Sequence, residues 1–334
     1  MGTCKIAING FGRIGRLTLR ALLEMTDTNV EVVAINDLTD NATLAHLFKY
    51  DTAHGKFGGT VTSDDNSITI DGNRMNAYAD RNPSNLPWGE LGIDIVLECT
   101  GFFRKKEDAA KHIEAGAKKV LISAPGKNGV KTIVLGINDE ELNAEDTIVS
   151  NASCTTNCLS QLVKVLDQNF GIVRGAFTTV HAYTGDQKLQ DAPHSDLRRA
   201  RAAAVNIIPT TTGAASAVAK VYPAVDGKLT GMAARVPVIT GSLTDMTCVL
   251  EKSASAEEIN AAFKKAAEGE LKGYLEYSDG YLVSSDIVSN PHSCIYDAPM
   301  TIVIGDLVKV IGWYDNEAGY ATRLADLAVK MAAL

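Results

Sequence analysis

Lys5-Ile6-Ala7-Ile8-Asn9-Gly10-Phe11-Gly12-Arg13-Ile14-Gly15-Arg16 is the stretch on which the fold turns. Its first five residues form a short apolar run that stops at a glycine, the pattern of a buried strand. From Arg13 onward Ile14, Leu17, Leu19, Leu22 and Leu23 recur at helical spacing. A second apolar run, Val30 to Ile35, ends in Asn36-Asp37. Strand, glycine turn, helix and strand make a βαβ unit. Gly10, Gly12 and Gly15 give the spacing G-x-G-x-x-G. The first glycine makes the turn, the second lets backbone approach a pyrophosphate, and the third lets helix and strand pack closely. Backbone N–H groups and the helix dipole then favour an anion. Glycines are common in any tight turn, so the weight lies in the context: a strand before, a helix after, and an acid at the end of the next strand. That acid, Asp37, suits the ribose hydroxyls of adenosine and repels a 2′-phosphate, which favours NAD over NADP. The competing role for Asp37 is a strand-end turn cap.

Outward from this unit, apolar runs follow at Ile93–Leu97, Val120–Ser123, Ile133–Leu135 and Ile148–Ser150, with a helical stretch at Glu107–Ala115. The alternation predicts a mostly parallel, helix-covered sheet through about residue 150. Beyond it a helix starts at Cys154, and strands are expected at Ile172–Thr184, Leu229–Val238, Ser242–Glu251, Leu282–Asp286 and Leu307–Tyr314. Few crossovers between them predict antiparallel pairing, hence an α+β second domain. The polar stretch between Gly185 and Pro209 carries Arg198, Arg199 and Arg201 and is too long for an idle loop in a compact domain. Read alone, those arginines are equally well a solvated basic loop. A final amphipathic helix is expected from Glu317 to Leu334.

The length of 334 residues exceeds what one core serves, which predicts two domains. A net charge of −8 argues against a dedicated nucleic-acid surface. The six cysteines show neither disulfide-framework nor zinc spacing, so reduced thiols in the cytoplasm and no metal are expected. The start lacks the apolar segment of a secretion signal, and no run is long enough to span a bilayer. Gly2 hints at myristoylation, but Ile6 stands where that motif wants Ser or Thr.

Ser153-Cys154-Thr155-Thr156-Asn157-Cys158 lies where a strand gives way to a helix. A thiol at a helix N-terminus is the better acid, because the dipole stabilises thiolate. A cysteine is more often a buried apolar residue than a nucleophile, and Cys99, Cys158 and Cys248 are assigned that role. Cys154 differs because a partner is at hand. His181, in Thr179-Val180-His181-Ala182-Tyr183-Thr184-Gly185-Asp186, could hold the thiolate as an ion pair and later move a proton. A histidine ending an apolar strand is also often a satisfied core residue, and His46, His54, His112, His194 and His292 are expected to be surface or structural.

These residues resemble the phosphorylating glyceraldehyde-3-phosphate dehydrogenase family. The blocks are Asn-Gly-Phe-Gly-Arg-Ile-Gly-Arg at 9–16, Ser-Cys-Thr-Thr-Asn-Cys at 153–158, Asp-Leu-Arg-Arg-Ala-Arg-Ala-Ala-Ala at 196–204, Ile-Pro-Thr-Thr-Thr-Gly-Ala-Ala at 208–215, Ala-Arg-Val-Pro-Val at 234–238 and Trp-Tyr-Asp-Asn-Glu at 313–317. They cover the chain in the family's order. The resemblance implies a Rossmann NAD-binding domain over 1–153 and 318–334 and a catalytic domain over 154–317. It implies oxidation of D-glyceraldehyde 3-phosphate to 1,3-bisphosphoglycerate, in glycolysis and gluconeogenesis, through a Cys154 hemithioacetal and a thioester cleaved by inorganic phosphate, with His181 as base and acid. Arg13, Ile14, Asp37, Arg81, Ser123 and Asn316 match its cofactor contacts, Asn316 on the nicotinamide carboxamide. Thr184, Asp186 and Arg235 match its site for the substrate phosphate, and Ser153, Thr155, Arg199, Thr212 and Gly213 its site for the attacking phosphate. Pro193 resembles the NAD-specific branch, and a homotetramer completed by the 185–209 loop is implied. Ala318, where Trp is usual, and Gly185, where Asn is frequent, depart from the pattern and bear on cofactor affinity.

Three alternatives carry different signatures. An erythrose-4-phosphate dehydrogenase shares Cys and His but hydrolyses its thioester, and the Thr212, Gly213 and Arg199 set stands against it. An NADP-dependent semialdehyde or acyl-phosphate reductase is opposed by Asp37. A non-catalytic surface or interaction protein would be expected to lose Cys154 or His181 first.

Overall fold

The computed structural model describes residues 3–26 and 28–334; Gly2, on which the myristoylation hint rests, lies outside them. The chain forms two compact units, Met1–Ile133 with Glu140–Ala152 and Ala321–Leu334, and Val134–Asp139 with Ser153–Tyr320.

In the first unit β1 (Cys4–Asn9), α1 (Arg13–Glu24) and β2 (Val30–Asn36) form the βαβ unit, with β1 and β2 parallel. Ile6, Ala7 and Ile8 are fully buried, as a strand covered on both faces demands. α2 (Asn41–Lys49) is capped by Asp40, whose carboxylate accepts from Thr43 N at 2.8 Å. The antiparallel set β3 (Val61–Asp64), β4 (Ser67–Ile70) and β5 (Asn73–Tyr78) then returns parallel to β2. The remaining elements are α3 (Trp88–Leu91), β6 (Ile95–Glu98), α4 (Lys106–Glu114), β7 (Lys119–Ile122), β8 (Lys131–Thr132) and β9 (Ile148–Ser150). The nine strands run β3-β4-β5-β2-β1-β6-β7-β9-β8. Because β1 is flanked by β2 and β6, the winding reverses at β1, which opens a crevice beyond the strand ends there. The expected strand at Ile133–Leu135 is corrected: β8 stops at Thr132. Ile133 N still donates to Ser150 O at 2.9 Å, but Val134 N turns to Asn138 Oδ1, also at 2.9 Å.

The second unit holds α5 (Cys154–Phe170), β10 (Ile172–Ala182), β11 (Ile208–Thr211), α6 (Ala214–Val221), β12 (Leu229–Val236), β13 (Ser242–Leu250), α7 (Ala256–Glu268), β14 (Leu275–Ser278), β15 (Cys294–Asp297), β16 (Ile302–Ile304) and β17 (Leu307–Tyr314), with α8 (Ala318–Ala332) following. The sheet order is β11-β12-β10-β13-β17-β15-β14, with β16 on β17. Pairing is antiparallel except at β10–β12 and β14–β15. The parallel β10–β12 pair is made possible by the long excursion through β11 and α6. Leu159, Leu162, Val163 and Leu166 of α5 are fully buried with Met246, Val308, Val310 and Phe263 in one core, each side chain worth about 1.5–3 kcal/mol of transfer free energy. This packing anchors the N-terminus of α5. The expected strand at Leu282–Asp286 is also corrected: Ser284–Ile287 is a 3₁₀ turn. Asp286 accepts from Val283 N at 2.8 Å and so closes the turn.

The 185–209 segment folds back on itself, with Ala203 N donating to Lys188 O and Ala192 N to Ala200 O, both at 2.9 Å. It leaves Leu189, Leu197, Val205 and Ile207 exposed. Among the described residues no helix is long and apolar enough to cross a membrane, and no cluster of His, Cys, Asp and Glu could hold a metal ion.

Candidate active site

Beyond the ends of β1, β2 and β6 lies a cavity of about 500 Å³, lined in part by Asn9, Gly10, Gly12, Asp37, Arg81 and Thr100. Gly10 takes φ +93°, a conformation that side chains with a Cβ avoid. A Cβ on Gly15 would stand 2.2 Å from Gly10 O, whereas one on Gly12 would meet nothing within 4 Å. The third glycine is therefore fixed by helix–strand packing, and the second keeps space open at the cavity's edge. Asp37 accepts from Phe11 N at 2.8 Å and from Thr39 N at 3.0 Å, so backbone donors hold the carboxylate at the end of β2. An open lip at Gly12, the first turn of α1 and a fixed carboxylate fit a dinucleotide. Arg13 forms an ion pair with Asp51, and Ile14 is half-buried. Ser123 N donates to Glu98 O at 3.0 Å. Cys99 also lines the cavity, and burial pushes its thiol up to about 12, with the Ser123 hydroxyl acting the other way.

The turn into α5 is set by Ala152, buried and at φ +57°, a left-handed conformation costing a residue with a Cβ about 1–2 kcal/mol. Ser153 caps the helix, its Oγ accepting from Thr156 N at 3.1 Å and lying 2.7 Å from Thr156 Oγ1. Cys154 is the first helical residue, and its Sγ lies 3.4 Å from His181 Nε2. His181 is the penultimate residue of β10, on the same sheet that α5 covers. Its Nδ1 is 2.7 Å from Ala182 O and 2.8 Å from Arg235 Nη1. Burial first, and the Arg235 charge second, push the imidazole down to about 3. Burial raises the Cys154 thiol, opposed by Arg235 and by the Thr155 backbone N–H. Burial thus weighs against both charged forms, the Cys154 thiolate and the His181 imidazolium, because both lose their hydration.

Arg235 Nη1 also reaches Ala182 O at 3.1 Å and Thr184 Oγ1 at 3.3 Å, while its buried Nε has no partner. Thr184 donates to Asp186, which accepts from Arg199 Nη1 at 2.7 Å. A carboxylate cannot donate to an anion; Asp186 instead positions Arg199, whose other N–H groups can, and Thr184, whose one hydroxyl proton must turn away from Asp186 to do so. Arg199 Nε donates to Thr210 Oγ1 at 3.0 Å. Thr212 and Gly213 sit at the start of α6, Gly213 as its N-cap, where helix amides collect. Arg198 and Arg201 are exposed, and Arg201 pairs with Asp191 at 2.8 Å.

Two family models match the chain: the glyceraldehyde 3-phosphate dehydrogenase NAD binding domain over residues 4–106, and the glyceraldehyde 3-phosphate dehydrogenase C-terminal domain over residues 153–316. The chain belongs to the glyceraldehyde-3-phosphate dehydrogenase family. It is 57% identical over 329 residues to glyceraldehyde-3-phosphate dehydrogenase 2 of Streptomyces avermitilis, covering 98% of both chains. It is 58% identical over 323 residues to the Thermotoga maritima glyceraldehyde-3-phosphate dehydrogenase, covering 96% of this chain and 97% of that one. With the Geobacillus stearothermophilus enzyme of the same name it shares 56% over 330 residues, 98% of each. Membership makes the chain an NAD-dependent oxidoreductase.

In this family member one contributor escaped the sequence reading. Tyr314 stands within the Trp-Tyr-Asp-Asn-Glu block and is fully buried, its ring edge-on to His181 at 5.9 Å. Its hydroxyl lies 2.9 Å from Thr155 Oγ1 and 2.6 Å from Thr179 Oγ1, and Thr179 donates to Leu243 O at 3.1 Å. The terminal carbonyl orders the protons, so Thr155 donates to Tyr314 and Tyr314 to Thr179. A tyrosine ending an apolar strand carried no signal of this. Asn316, read as a cofactor contact, is buried with Oδ1 accepting from Ser242 Oγ at 2.8 Å. Asp315 beside it accepts from Glu317 N and Ala318 N at 2.8 and 3.0 Å and starts α8. Gly185 has open space around it, so nothing in the fold demands glycine there.

Proposed function

We propose that this chain converts D-glyceraldehyde 3-phosphate, NAD and inorganic phosphate to 1,3-bisphosphoglycerate, with Cys154 as nucleophile and His181 as base and then acid. The observation that carries the assignment is the 3.4 Å approach of His181 Nε2 to Cys154 Sγ at the start of α5. With Arg235 drawn onto the substrate phosphate rather than onto Nδ1, a neutral imidazole whose Nδ1 donates to Ala182 O presents Nε2 as an acceptor, able to take the thiol proton as sulfur attacks the aldehyde carbon. The helix N-terminus stabilises the charge that builds on sulfur and oxygen. Bound NAD supplies the hydride acceptor. The imidazolium returns the thiol proton to the alkoxide to give the hemithioacetal, and His181 takes it back as hydride leaves the carbon, so that a thioester remains on Cys154. Phosphate attack on its carbonyl carbon releases the Cys154 thiolate, which recovers a proton from His181.

Arg235 and Thr184, the latter fixed by Asp186, are assigned to the substrate phosphate. Ser153, the Thr155 backbone N–H, Arg199, Thr212 and Gly213 are assigned to the attacking one; forked guanidinium and helix amides match phosphate geometry. Gly10, Gly12, Arg13, Ile14, Gly15, Asp37, Arg81 and Ser123 serve NAD, and Asn316, with its Oδ1 occupied, offers its amide N–H to the carboxamide. The domain assignment carried forward is 1–153 with 318–334 for NAD and 154–317 for catalysis. A cytoplasmic homotetramer is proposed, supported by the exposed Leu189, Leu197, Val205 and Ile207; light scattering of a monomeric particle would refute it. The decisive test follows NADH absorbance with glyceraldehyde 3-phosphate and NAD, with and without phosphate, for wild type and Cys154→Ser. Multiple turnovers that need phosphate and vanish in the variant are expected. Turnover indifferent to phosphate would assign the hydrolytic erythrose-4-phosphate relative instead, and none in the wild type would leave only the non-catalytic role.

A further inference from the structure

Beneath the cavity of the first unit lies a hydrogen-bonded chain that the chemistry above does not use. Glu98 and His112 are both fully buried. Glu98 Oε2 accepts from Asn9 Nδ2 at 2.6 Å and from His112 Nε2 at 3.0 Å. Glu98 Oε1 accepts from Thr100 N at 2.8 Å and from the Thr100 hydroxyl, which in turn accepts from Phe102 N at 3.1 Å. Beyond Asn9 the chain continues to Asn36, whose Nδ2 reaches Asn9 Oδ1 at 2.7 Å and Asp80 O at 2.9 Å, while its Oδ1 accepts from Asp80 N at 2.9 Å.

Both ends fix the direction of every proton. The indole of Trp88 can only donate, and it does so to His112 Nδ1 at 3.0 Å. His112 therefore carries its hydrogen on Nε2, facing Glu98. At the other end the peptide N–H and C=O of Asp80 fix the Asn36 amide, which fixes Asn9 with its NH₂ toward Glu98. All groups on Glu98 are donors, and none can be flipped without breaking a bond further along. Asn9 and Asn36 end β1 and β2, Glu98 ends β6, and Asp80 follows β5; these four strands are neighbours in the order β5-β2-β1-β6. Asn9, Asn36, Asp80 and Thr100 all line the cavity, whereas Glu98 and His112 do not.

We propose that Glu98 is a positioning residue for NAD, an acceptor-only hub that holds four strand ends in the arrangement the adenosine half of the cofactor requires. The proposal rests on that cavity being the adenosine site. Glu98→Gln keeps shape and volume but sets an NH₂ against donors that cannot turn. NAD titrated into wild type and variant, by calorimetry, is expected to bind about tenfold more weakly to Glu98→Gln, the scale of one mismatched buried hydrogen bond. The kcat at saturating NAD and the KM for the aldehyde should stay within about twofold of wild type, since Glu98 touches no reactant. Trp88→Phe removes the donor that locks His112, so in Glu98→Gln/Trp88→Phe the imidazole can change tautomer and accept from the glutamine. The double variant should regain at least about threefold in NAD affinity, a non-additive coupling. Should Glu98→Gln fail to fold, Thr100→Val should weaken NAD binding about fivefold while Thr100→Ser, which keeps the hydroxyl, binds as wild type.

Unchanged NAD affinity, or kcat and both KM values worsening together, would overturn the proposal, as would strictly additive effects in the double variant or equal binding by Thr100→Val and Thr100→Ser. A wild type that bound no NAD would remove the adenosine-site assignment itself and the proposal with it, a result distinguishable from wild-type binding that the variants leave untouched.

Discussion

Gly12 and Gly15 share one motif, yet the structure predicts opposite consequences of adding a methyl group to each. At Gly15 a Cβ would stand 2.2 Å from the backbone oxygen of Gly10, well inside the 3.0 Å approach that Cβ atoms respect. The obstacle is backbone, so α1 must move by about an ångström, and overpacking of this kind costs about 1–3 kcal/mol or more. Gly15→Ala should therefore lower the first unit's melting temperature by about 2–12 °C, taking about 2–4 °C per kcal/mol for a unit of this size. At Gly12 the added methyl meets no protein atom within 4 Å, and the residue has ordinary φ of −74°. Gly12→Ala should melt within about 1–2 °C of wild type, because no contact or backbone conformation is lost. Its methyl instead fills the space proposed for the pyrophosphate, and NAD affinity should fall by a factor of about 10–100, or about 1.4–2.8 kcal/mol. Differential scanning calorimetry with and without NAD separates the two. Stability lost at Gly12→Ala with NAD binding retained, or Gly15→Ala melting as wild type, would refute the division of roles.

Other perturbations bear on selectivity, the hydroxyl chain and titration. Asp37→Ala should raise the efficiency with NADP relative to NAD by at least about tenfold, since it removes the carboxylate that repels a 2′-phosphate; unchanged discrimination in steady-state kinetics would locate selectivity elsewhere. Tyr314→Phe leaves Thr155 and Thr179 short of a partner and should cost about 1–3 kcal/mol of stability by urea unfolding. It should slow turnover by no more than about tenfold, because Tyr314 touches no reacting atom. His181 is held neutral down to about pH 3, against 6.5 for an ordinary histidine. The unfolded chain therefore binds the extra proton between those values, and this contribution is present above 6.5 and lost as pH falls toward about 3. In His181→Asn the fall in stability over that window should be shallower by up to about 1.4 kcal/mol per pH unit; parallel curves in denaturant titrations would show that the imidazole is not desolvated.

How much of this was legible follows from the range of each signal. The βαβ unit was readable because its pattern is local: an apolar run, glycines at fixed offsets and an acid one strand later. Cys154 and His181 were readable as types on a helix start and a strand end, but their 3.4 Å approach belongs to packing of α5 on the second sheet. Ile133–Leu135 misled because buried apolar residues look alike in a strand and in a tight turn closed by Asn138. Leu282–Asp286 misled because Asp286 spends its carboxylate on the local backbone. The parallel β10–β12 pair was invisible, since its crossover has no helical period long enough to announce it. The charge beside the cysteine–histidine pair could not be foreseen either: Arg235 is more than fifty positions from His181 in sequence and one strand away in space.

That arginine links binding to chemistry. Its guanidinium lies 2.8 Å from His181 Nδ1 and opposes a positive charge there, while its support of the thiolate reaches Cys154 Sγ across the ring, at the Nε2 side, over a longer distance. On the proposed assignment, an anion held by Arg235 and Thr184 would cancel that charge locally and make the imidazole the better base at the moment a phosphorylated aldehyde is in place. Removing the charge by Arg235→Leu should then do two things at once. It should raise the KM for glyceraldehyde 3-phosphate by at least about a hundredfold, the loss of a charge-assisted fork worth about 3 kcal/mol. It should also make the Cys154–His181 pair ionise more readily without substrate, so that iodoacetamide labels Cys154 faster than in wild type near pH 7. Inorganic sulfate should accelerate labelling of the wild type and leave Arg235→Leu unaffected. Were labelling instead slower in Arg235→Leu, the guanidinium would be stabilising the thiolate more than it burdens the imidazole, and substrate phosphate would bind without tuning the base.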